Sequence, residues 1–424
     1  MYFIKKDLNE FEDRQLYLGA FIRVERENEN MTLGFMADIV GITKSFLSDI
    51  EHGKKMPSEY TLNRIMDVLG VSFNSDYSFR FQIIEQLENM YLLYTELNKE
   101  KMNTIIQDIN LNYDNYYNSY AFITCDILRL VFYLTIEDDI EISKKLINKI
   151  DSFVHLLSKE ELTIYYDMKG LYYYKNNDLE NAQDLFTKGL EQASAPCTIG
   201  MICYHLALLN QRKNNQIDSL IYCERAIQQF SRNFNIFRLL YLELYKGTCY
   251  SRERIYDKAI AIYQKVIDNS IKNNYERITN VAYNNIAWTY LKSKDYNEVI
   301  KYTEMSFELN PNPSFVELYT YIPYSYYKLG NYQLSLNAIS IYKRKLKNSI
   351  HLYFLDAIEA KIKKDDKLFL ECIKKYITIL FSGEKDIDML YFVYEELIEF
   401  YKKENNFYEL SKIYAELIKL YENT

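Results

Sequence analysis

Residues 31–71 read MTLGFMADIVGITKSFLSDIEHGKKMPSEYTLNRIMDVLGV, a stretch in which capping and turn residues recur at short intervals. Thr32 and Thr43 can each cap a helix, because a hydroxyl there accepts a hydrogen bond from an unpaired backbone N–H in the first turn. A third helix opens at Ser58. Each helix is closed by a glycine, at which a left-handed backbone costs little, at Gly41, Gly53 and Gly70. With the chain just before it, the stretch predicts five short helices over residues 12–73.

This stretch resembles the Xre/Cro type of helix-turn-helix domain. The features that carry the resemblance are Ala37 in the first helix of the motif, Gly41 in the turn, the I-E-x-G run at Ile50–Gly53, Pro57, and the closing Leu69–Val71. In that family the second helix of the motif enters the major groove of DNA, with its N-terminal side chains on base edges. The resemblance implies a DNA-binding domain, which we place at residues 1–75.

Position by position, the resemblance implies which side chains contact DNA. The base-reading candidates on the second helix of the motif are Lys44, Ser45 and Asp49, and the capping Thr43 is included among the DNA contacts. The phosphate-contacting candidates are Lys54 and Lys55 in the next loop, and Arg23 and Arg26 on the first helix of the domain. Leu33 and Glu25 depart from the family, which usually has Gln and an apolar residue there. A domain that now serves only as a protein contact is the alternative interpretation.

Composition predicts a cytoplasmic protein built from long helices. Only 5 Pro and 11 Gly occur among 424 residues, and chains rich in turns need more of both. No apolar run approaches the ~20 residues that span a bilayer, so we expect no membrane contact. The six cysteines lack any CxxC pair, which favours reduced thiols over a disulfide framework.

The distribution of charge excludes DNA binding by a strongly basic domain. Residues 1–78 carry 9 Lys and Arg against 13 Asp and Glu, a net charge of −4, and the whole chain carries −8. Proteins that bind nucleic acid through bulk charge are basic instead. Any contact with DNA must therefore come from a local cluster.

After residue 78 the sequence repeats. Residues 170–193, GLYYYKNNDLENAQDLFTKGLEQA, resemble a tetratricopeptide repeat, with the small Gly170 followed by Tyr173, Ala182 and Phe186 at the family's spacing. The small position recurs at residues 207, 247, 287 and 323, which are 36–40 residues apart. One helix pair cannot bury its apolar stripe alone, so about nine pairs should stack into a right-handed α-solenoid with a concave groove. We place this repeat domain, for peptide binding and dimerisation, at residues 76–424.

The repeat grid also predicts which residues line the groove. The fifth position after each small residue is basic, at Lys175, Arg212, Arg252, Lys292, Lys328 and Lys403. Such cations can complement the C-terminal dipole of their own helix, and one or two could instead pair with a ligand carboxylate.

Asn284 is the sharpest groove candidate, because an amide both donates and accepts and can therefore hold the backbone of an extended peptide. The alternative is a solvated polar residue on a helix face. The peptide-binding set comprises Asn284, Arg252, Arg212, Gln211, Tyr204, Tyr324, Tyr327 and Lys328.

Motifs for catalysis, cofactors and metals are absent from the sequence. No P-loop, GxGxxG, GxSxG or HExxH occurs, and the four histidines lack metal-ligand spacing. We therefore expect no catalytic residues, no cofactor and no metal, and a protein that is not itself an enzyme of the familiar pocket-based kinds.

The whole architecture resembles the bacterial peptide-pheromone receptors of the RRNPP type, the Rap, NprR, PlcR and PrgX group. The resemblance implies a cytoplasmic quorum-sensing transcription factor, in which a re-imported peptide binds the groove and rearranges a homodimer on palindromic promoter DNA. A second possibility within the group is a protein that binds a phosphorelay response regulator and promotes its dephosphorylation. A third is a phage lysis–lysogeny regulator.

Overall fold

The computed structural model describes residues 10–232, 234–312, 315–347, 349–382 and 387–422. Across these ranges the chain forms 23 α-helices and no extended strand, apart from one isolated bridge between Asn74 and Ser119. The predicted all-α fold class is confirmed. No helix in the described ranges combines the length and the apolarity that a membrane crossing requires.

The N-terminal region follows the capping pattern of its sequence. Its helices are α1 (Glu10–Asn28), α2 (Leu33–Val40), α3 (Lys44–Glu51) and α4 (Glu59–Leu69). The hydroxyls of Thr32, Thr43 and Ser58 accept hydrogen bonds from backbone N–H groups at 3.2, 3.1 and 3.2 Å. The three turn glycines have φ angles of 76°, 66° and 66°, as their positions predicted.

The prediction of five helices in this region is wrong by one. Four helices occupy the described part of residues 1–75, and the fifth, α5, begins at Ser78. The first of them, α1, runs through 19 residues without a break. Gly19 lies inside α1 and is not a turn residue. Glycine is required there because a Cβ would collide with the backbone of Ile50 on α3.

Nine helix pairs follow in the part of the chain that the structure describes, which confirms the predicted number. Their bounds are α5 (Ser78–Glu96) with α6 (Lys99–Leu111), α8 (Phe122–Phe132) with α9 (Ile140–Asp151), α10 (Lys159–Lys175) with α11 (Leu179–Gln192), α12 (Pro196–Arg212) with α13 (Gln216–Arg232), α14 (Ile236–Arg252) with α15 (Tyr256–Lys272), α16 (Glu276–Ser293) with α17 (Tyr296–Leu309), α18 (Leu318–Lys328) with α19 (Tyr332–Lys345), α20 (His351–Lys363) with α21 (Asp366–Ser382), and α22 (Ile387–Lys403) with α23 (Phe407–Glu422). The short α7 (Tyr113–Tyr117) lies between the first and second pairs, and a π-helical turn at Tyr133–Glu137 separates α8 from α9.

The small residues of the repeat grid receive aromatic rings from the second helix of the same pair. A Cβ added at Gly170 would lie 2.7 Å from the ring of Phe186, and Gly247 packs in the same way against Tyr263. Both rings are buried. The sixteen-residue spacing between small and aromatic positions is therefore a packing requirement, since a larger residue on the first helix would displace the ring.

The described chain divides into two compact units. The first comprises Met1–Leu209 with Glu224–Leu239, and the second comprises Asn210–Cys223 with Leu240–Thr424. The four N-terminal helices thus share a unit with the first repeats, and the units do not divide at residue 75. The boundary between residues 75 and 76 stays a prediction about function.

Candidate DNA-binding and ligand-binding sites

The first turn of α3 presents polar side chains to solvent. Lys44 and Ser45 are exposed, whereas Leu47 and Ile50 on the opposite face are buried. The cap at Thr43 fixes the start of the helix, so the two exposed side chains project from a defined position. This is the arrangement in which an N-terminal turn can reach base edges in a groove.

The loop after α3 interacts with the helix that precedes it. Lys55 forms an ion pair with Asp49 at 2.8 Å, and this hydrogen bond lowers the pKa of the Asp49 carboxyl. Lys54 is exposed. Exposed ion pairs are weak, so Lys55 can exchange Asp49 for a phosphate at little cost.

Arg26 does not face solvent, and its prediction as a phosphate contact is wrong. It is 8% exposed and donates from Nε and Nη2 to the two carboxylate oxygens of Glu51, at 2.7 and 3.0 Å. A third bond runs to the carbonyl of Met31 at 2.7 Å. Glu51 is itself buried and needs a counter-charge, which takes the guanidinium out of solvent. Arg23 is exposed, pairs with Glu27 at 3.1 Å and remains a candidate.

The polar residue at position 25 has a partner outside the helix-turn-helix. Glu25 accepts a hydrogen bond from the hydroxyl of Tyr117 at 2.7 Å. Phe21, one turn earlier on α1, packs against Phe122 at 6.0 Å between ring centroids. This face of α1 therefore contacts the repeats, which explains why an apolar residue is not required at Glu25.

Sequence reasoning missed a buried charged residue beneath α1. Arg80 is fully buried, pairs with Glu161 at 3.0 Å and donates to Thr124 at 2.7 Å. Its guanidinium lies 4.0 Å from the ring centre of Tyr17 on α1, whose hydroxyl donates to the carbonyl of Leu156 at 3.0 Å. Burial raises the pKa of Glu161, but Arg80 and the hydroxyl donors lower it by more, so the net shift is downward.

In the second unit, a cavity of about 400 Å³ contains four of the residues predicted to bind a peptide. They are Asn284, Gln211, Arg212 and Arg252. Asn284 is 7% exposed, and its amide oxygen has no hydrogen-bond partner among the described residues. Trp288 and Tyr321 stack beside it, with their ring centroids 5.8 Å apart. An unsatisfied buried acceptor is costly, and this oxygen is free to accept a hydrogen bond from a donor that enters the cavity.

A neighbouring cavity of about 490 Å³ shares Arg252 with the first and is lined by the predicted Tyr324 and Lys328. Lys328 pairs with Glu396 on α22 at 2.6 Å, and Tyr324 donates to the same carboxylate at 2.5 Å. Burial lowers the pKa of Lys328, but Glu396 and its neighbour Glu399 raise it more strongly. Both predicted residues are therefore already engaged by α22.

Two predicted peptide contacts lie elsewhere. Tyr204 belongs to the first unit, where it is buried under the guanidinium of Arg238 at 4.7 Å. Tyr327 is half-buried against Tyr332, with ring centroids 6.1 Å apart, and lines neither cavity. Both rings are thus engaged by other side chains, which the repeat grid does not encode.

Three of the six basic positions have a structural role that the sequence did not reveal. Lys175, Arg252 and Lys292 each donate to a backbone carbonyl 41 residues earlier, at 2.8, 3.1 and 3.1 Å. The carbonyls of Gln211 and Ser251 lie at the C-terminal end of the first helix in the preceding pair, and that of Leu134 lies in the π-helical turn that follows α8. The cation therefore complements the neighbouring helix, which carries unpaired carbonyls at that end.

The acidic side chains of α22 were not predicted as part of any site. Asp388, Glu395, Glu396 and Glu399 all line the larger cavity. Their spacing of seven, eight and eleven residues places them on one face of the helix. A search for an acidic stripe complementary to the basic row would have found them.

Comparison with known proteins supports this architecture. Residues 22–75 match the family model described as helix-turn-helix. The transcriptional activator NprA of Geobacillus stearothermophilus is 22% identical over 309 residues, which are 71% of this chain and 75% of that protein. The ImmF control region 10 kDa protein of Bacillus phage phi105 is 33% identical over 69 residues, which are 16% of this chain and 77% of that protein.

Solved structures share the fold at low sequence identity. The apo form of the quorum sensor NprR from B. thuringiensis has a TM-score of 0.66 at 16% identity, over 80% of this chain and 99% of that chain. NprR in complex with its cognate peptide NprX has a TM-score of 0.58 at 14% identity, over 82% and 100%. Aspartyl phosphate phosphatase F from Bacillus subtilis has a TM-score of 0.56 at 16% identity, over 82% and 95%.

Proposed function

We propose that the chain is an RRNPP-type regulator, which joins an Xre-type helix-turn-helix to tetratricopeptide-like repeats, and that it acts as a cytoplasmic quorum-sensing transcription factor. It binds promoter DNA through α3 and a short, re-imported signalling peptide in its second unit. The observation that carries the proposal is the buried amide oxygen of Asn284, which has no partner in the described residues and lines a cavity.

The two cavities suit an extended peptide. Their volumes of about 400 and about 490 Å³ fall within the range of ligand sites in proteins. A bound peptide must satisfy its backbone groups or lose ~1–3 kcal/mol for each that is buried unpaired. The amide of Asn284 can accept from one peptide N–H and donate to one carbonyl. Arg252 and Arg212 can pair with a peptide carboxylate.

DNA binding is proposed to need two copies of the chain. The N-terminal region is acidic, so one α3 helix alone gains little from bulk electrostatics. A homodimer places two α3 helices on one palindromic site and raises their effective concentration. The peptide can act only by binding one arrangement of the dimer better than another. Sedimentation that shows a monomer in every combination with peptide and DNA would refute the dimer.

One experiment tests both halves of the proposal. Duplexes that bind the purified chain are selected from a random pool, and their footprint is measured with synthetic peptides copied from short exported reading frames beside the gene. We expect a palindromic footprint that one peptide strengthens or weakens. Failure to select any duplex contradicts DNA binding, and a footprint that no such peptide changes contradicts peptide control.

A second candidate function is stimulation of response-regulator dephosphorylation. The observation that favours it is the shared fold with aspartyl phosphate phosphatase F. Incubation of the chain with phosphorylated response regulators tests it, because faster loss of the phosphoryl group would establish this activity. Unchanged phosphoryl lifetimes would leave only the transcriptional role.

A third candidate is a phage lysis–lysogeny regulator. It is favoured by the match between the N-terminal region and the phage phi105 protein. Sequencing of the flanking genes separates this candidate from the first, since phage structural and integration genes on both sides would place the chain in a prophage.

A further inference from the structure

Helix α22 contacts first helices that are not its neighbours in the array. Its Asp388 pairs with Arg252 on α14 at 3.0 Å, and its Glu396 pairs with Lys328 on α18 at 2.6 Å. Helices α16, α18 and α20 stand between α14 and α22 in the order of first helices. In a stacked array each repeat contacts mainly the next one, so stacking alone does not produce the pairing of Arg252 with Asp388.

Arg252 and Asp388 both line the two cavities. The ion pair between them therefore lies where the two cavities adjoin. Arg252 also donates to the carbonyl of Gln211 at 3.1 Å, which holds its guanidinium in place when Asp388 is absent. Asp388 thus occupies the position that a ligand carboxylate would take on an already oriented cation.

The ion pair of Asp388 with Arg252 and that of Glu396 with Lys328 differ in how readily they exchange. The side chains of Arg252 and Asp388 are 30% and 27% exposed, whereas those of Lys328 and Glu396 are 17% and 8% exposed. Water screens the first pair more, so it contributes less and is exchanged more easily for another carboxylate. Lys328 and Glu396, which also bonds Tyr324, would keep α22 attached during the exchange.

We infer that Asp388 is a resident counter-ion that a carboxylate of the bound peptide displaces from Arg252, joining the two cavities into one groove. This inference rests on the proposed peptide-binding function and adds a specificity determinant to it. The ligand class is a short peptide whose carboxylate, from a side chain or from the free C-terminus, reaches Arg252. Asp388 also repels such a peptide until it is displaced, so it sets a threshold for binding.

The test uses pools of randomised synthetic heptapeptides and the full-length chain. Four pools combine a free or an amidated C-terminus with the presence or absence of Asp and Glu, and retained peptides are quantified by mass spectrometry after gel filtration. Wild type should retain carboxylate-bearing peptides preferentially, and the four pools tell which carboxylate is recognised. Asp388→Asn should raise that retention roughly 5-fold, the upper range for a part-exposed ion pair.

Two further variants complete the design. Arg252→Gln should remove the preference for carboxylates, because the cation is lost. Asp366→Asn neutralises an exposed acid at the start of α21, outside both cavities, and should behave as wild type. Equal retention of all four pools, or no gain in Asp388→Asn, overturns the inference and leaves peptide binding standing. No retention of any pool by any of these proteins overturns peptide binding as well.

Discussion

Two asparagines on α16 differ in what their side chains do, although they lie one turn apart. Asn280 and Asn284 are both 7% exposed. The oxygen of Asn280 accepts a hydrogen bond from Ser306 at 2.5 Å, whereas the oxygen of Asn284 has no partner among the described residues. A native protein keeps an unsatisfied buried acceptor mainly where function requires it. Substitution of each asparagine therefore compares a side chain that stabilises the fold, Asn280, with one that is proposed to bind the peptide, Asn284.

Asn284→Ala should weaken peptide affinity by roughly 1–3 kcal/mol, largely independent of peptide sequence, because the amide contacts backbone groups. The free energy of unfolding should stay the same or rise slightly, since an unpaired buried oxygen is removed. Calorimetric titration with a peptide that alters the footprint, and thermal unfolding, measure the two effects. Asn280→Ala is the control and should lose stability instead. Equal peptide affinities for wild type and Asn284→Ala would remove this residue from the site.

Arg26 and Arg23 should differ in how much each contributes to the free energy of unfolding. Arg26→Ala leaves Glu51 buried without a counter-charge, and breaking such a pair costs about 3–5 kcal/mol of stability. Arg23→Ala removes only an exposed pair, so its cost should stay within about 0.5 kcal/mol. Denaturant titration of both variants checks the difference. Comparable losses would contradict the structural role of Arg26.

At the scale of single elements, α3 is defined by its cap and by its two faces. Thr43 fixes where the helix begins, and Leu47 and Ile50 fix which side is buried. Lys44 and Ser45 remain exposed, so they can change without altering the packing. The basic row of the repeats shows the opposite case, because Lys175, Arg252 and Lys292 each hold an adjacent helix end and are not interchangeable surface charges.

Replacing Lys44 and Ser45 together by Ala should abolish the footprint on the selected duplex, since each good base contact contributes ~1–3 kcal/mol. Helical content and peptide affinity should not change. Lys54→Ala is the comparison variant, and it should weaken binding to all duplexes alike. The slope of the logarithm of the binding constant against the logarithm of salt concentration should become shallower by about one. An unchanged footprint in the double variant would exclude base readout by α3.

At the scale of the whole molecule, the helix-turn-helix is not packed as a separate domain. Tyr17 and Phe21 on α1 are 0% and 1% exposed, and both contact Phe122 of the repeats. Buried Arg80 lies against Tyr17 and pairs with Glu161 on α10. Any rearrangement among the first repeats therefore reaches α1 through direct contacts.

A fragment of residues 1–75 should be much less stable than the same region in the full chain. Exposure of Tyr17 and Phe21 costs about 1.5–3 kcal/mol each, which is a large share of the stability of a small domain. Circular dichroism during heating compares the fragment with the full chain. The control fragment ends at Gln192 and retains Phe122, Leu156 and Glu161. If the short fragment melts as cooperatively and at as high a temperature as the longer one, the contacts of α1 with the repeats contribute little.

The sequence determined the features that depend on neighbouring residues. Caps at Thr32 and Thr43, left-handed glycines, and the small-to-aromatic spacing from Gly170 to Phe186 are local, because the groups involved lie within one or two helices. They predicted the helix-turn-helix, the all-α class and nine repeat pairs. They also singled out Asn284, Gln211, Arg212 and Arg252, which the structure brings to one cavity.

Tertiary structure decided which charges are free and which are paired. Arg26 pairs with Glu51, which is 25 residues away in the sequence, and Arg252 pairs with Asp388, which is 136 residues away. Tyr204 and Tyr327 line neither of the two cavities, and other side chains cover or stack on their rings. Periodicity assigns a residue to a face of its own helix, but the partner on that face comes from a distant segment. Burial and counter-charge depend on that partner, so only the folded chain could reveal the occupied Arg26 and the acidic face of α22.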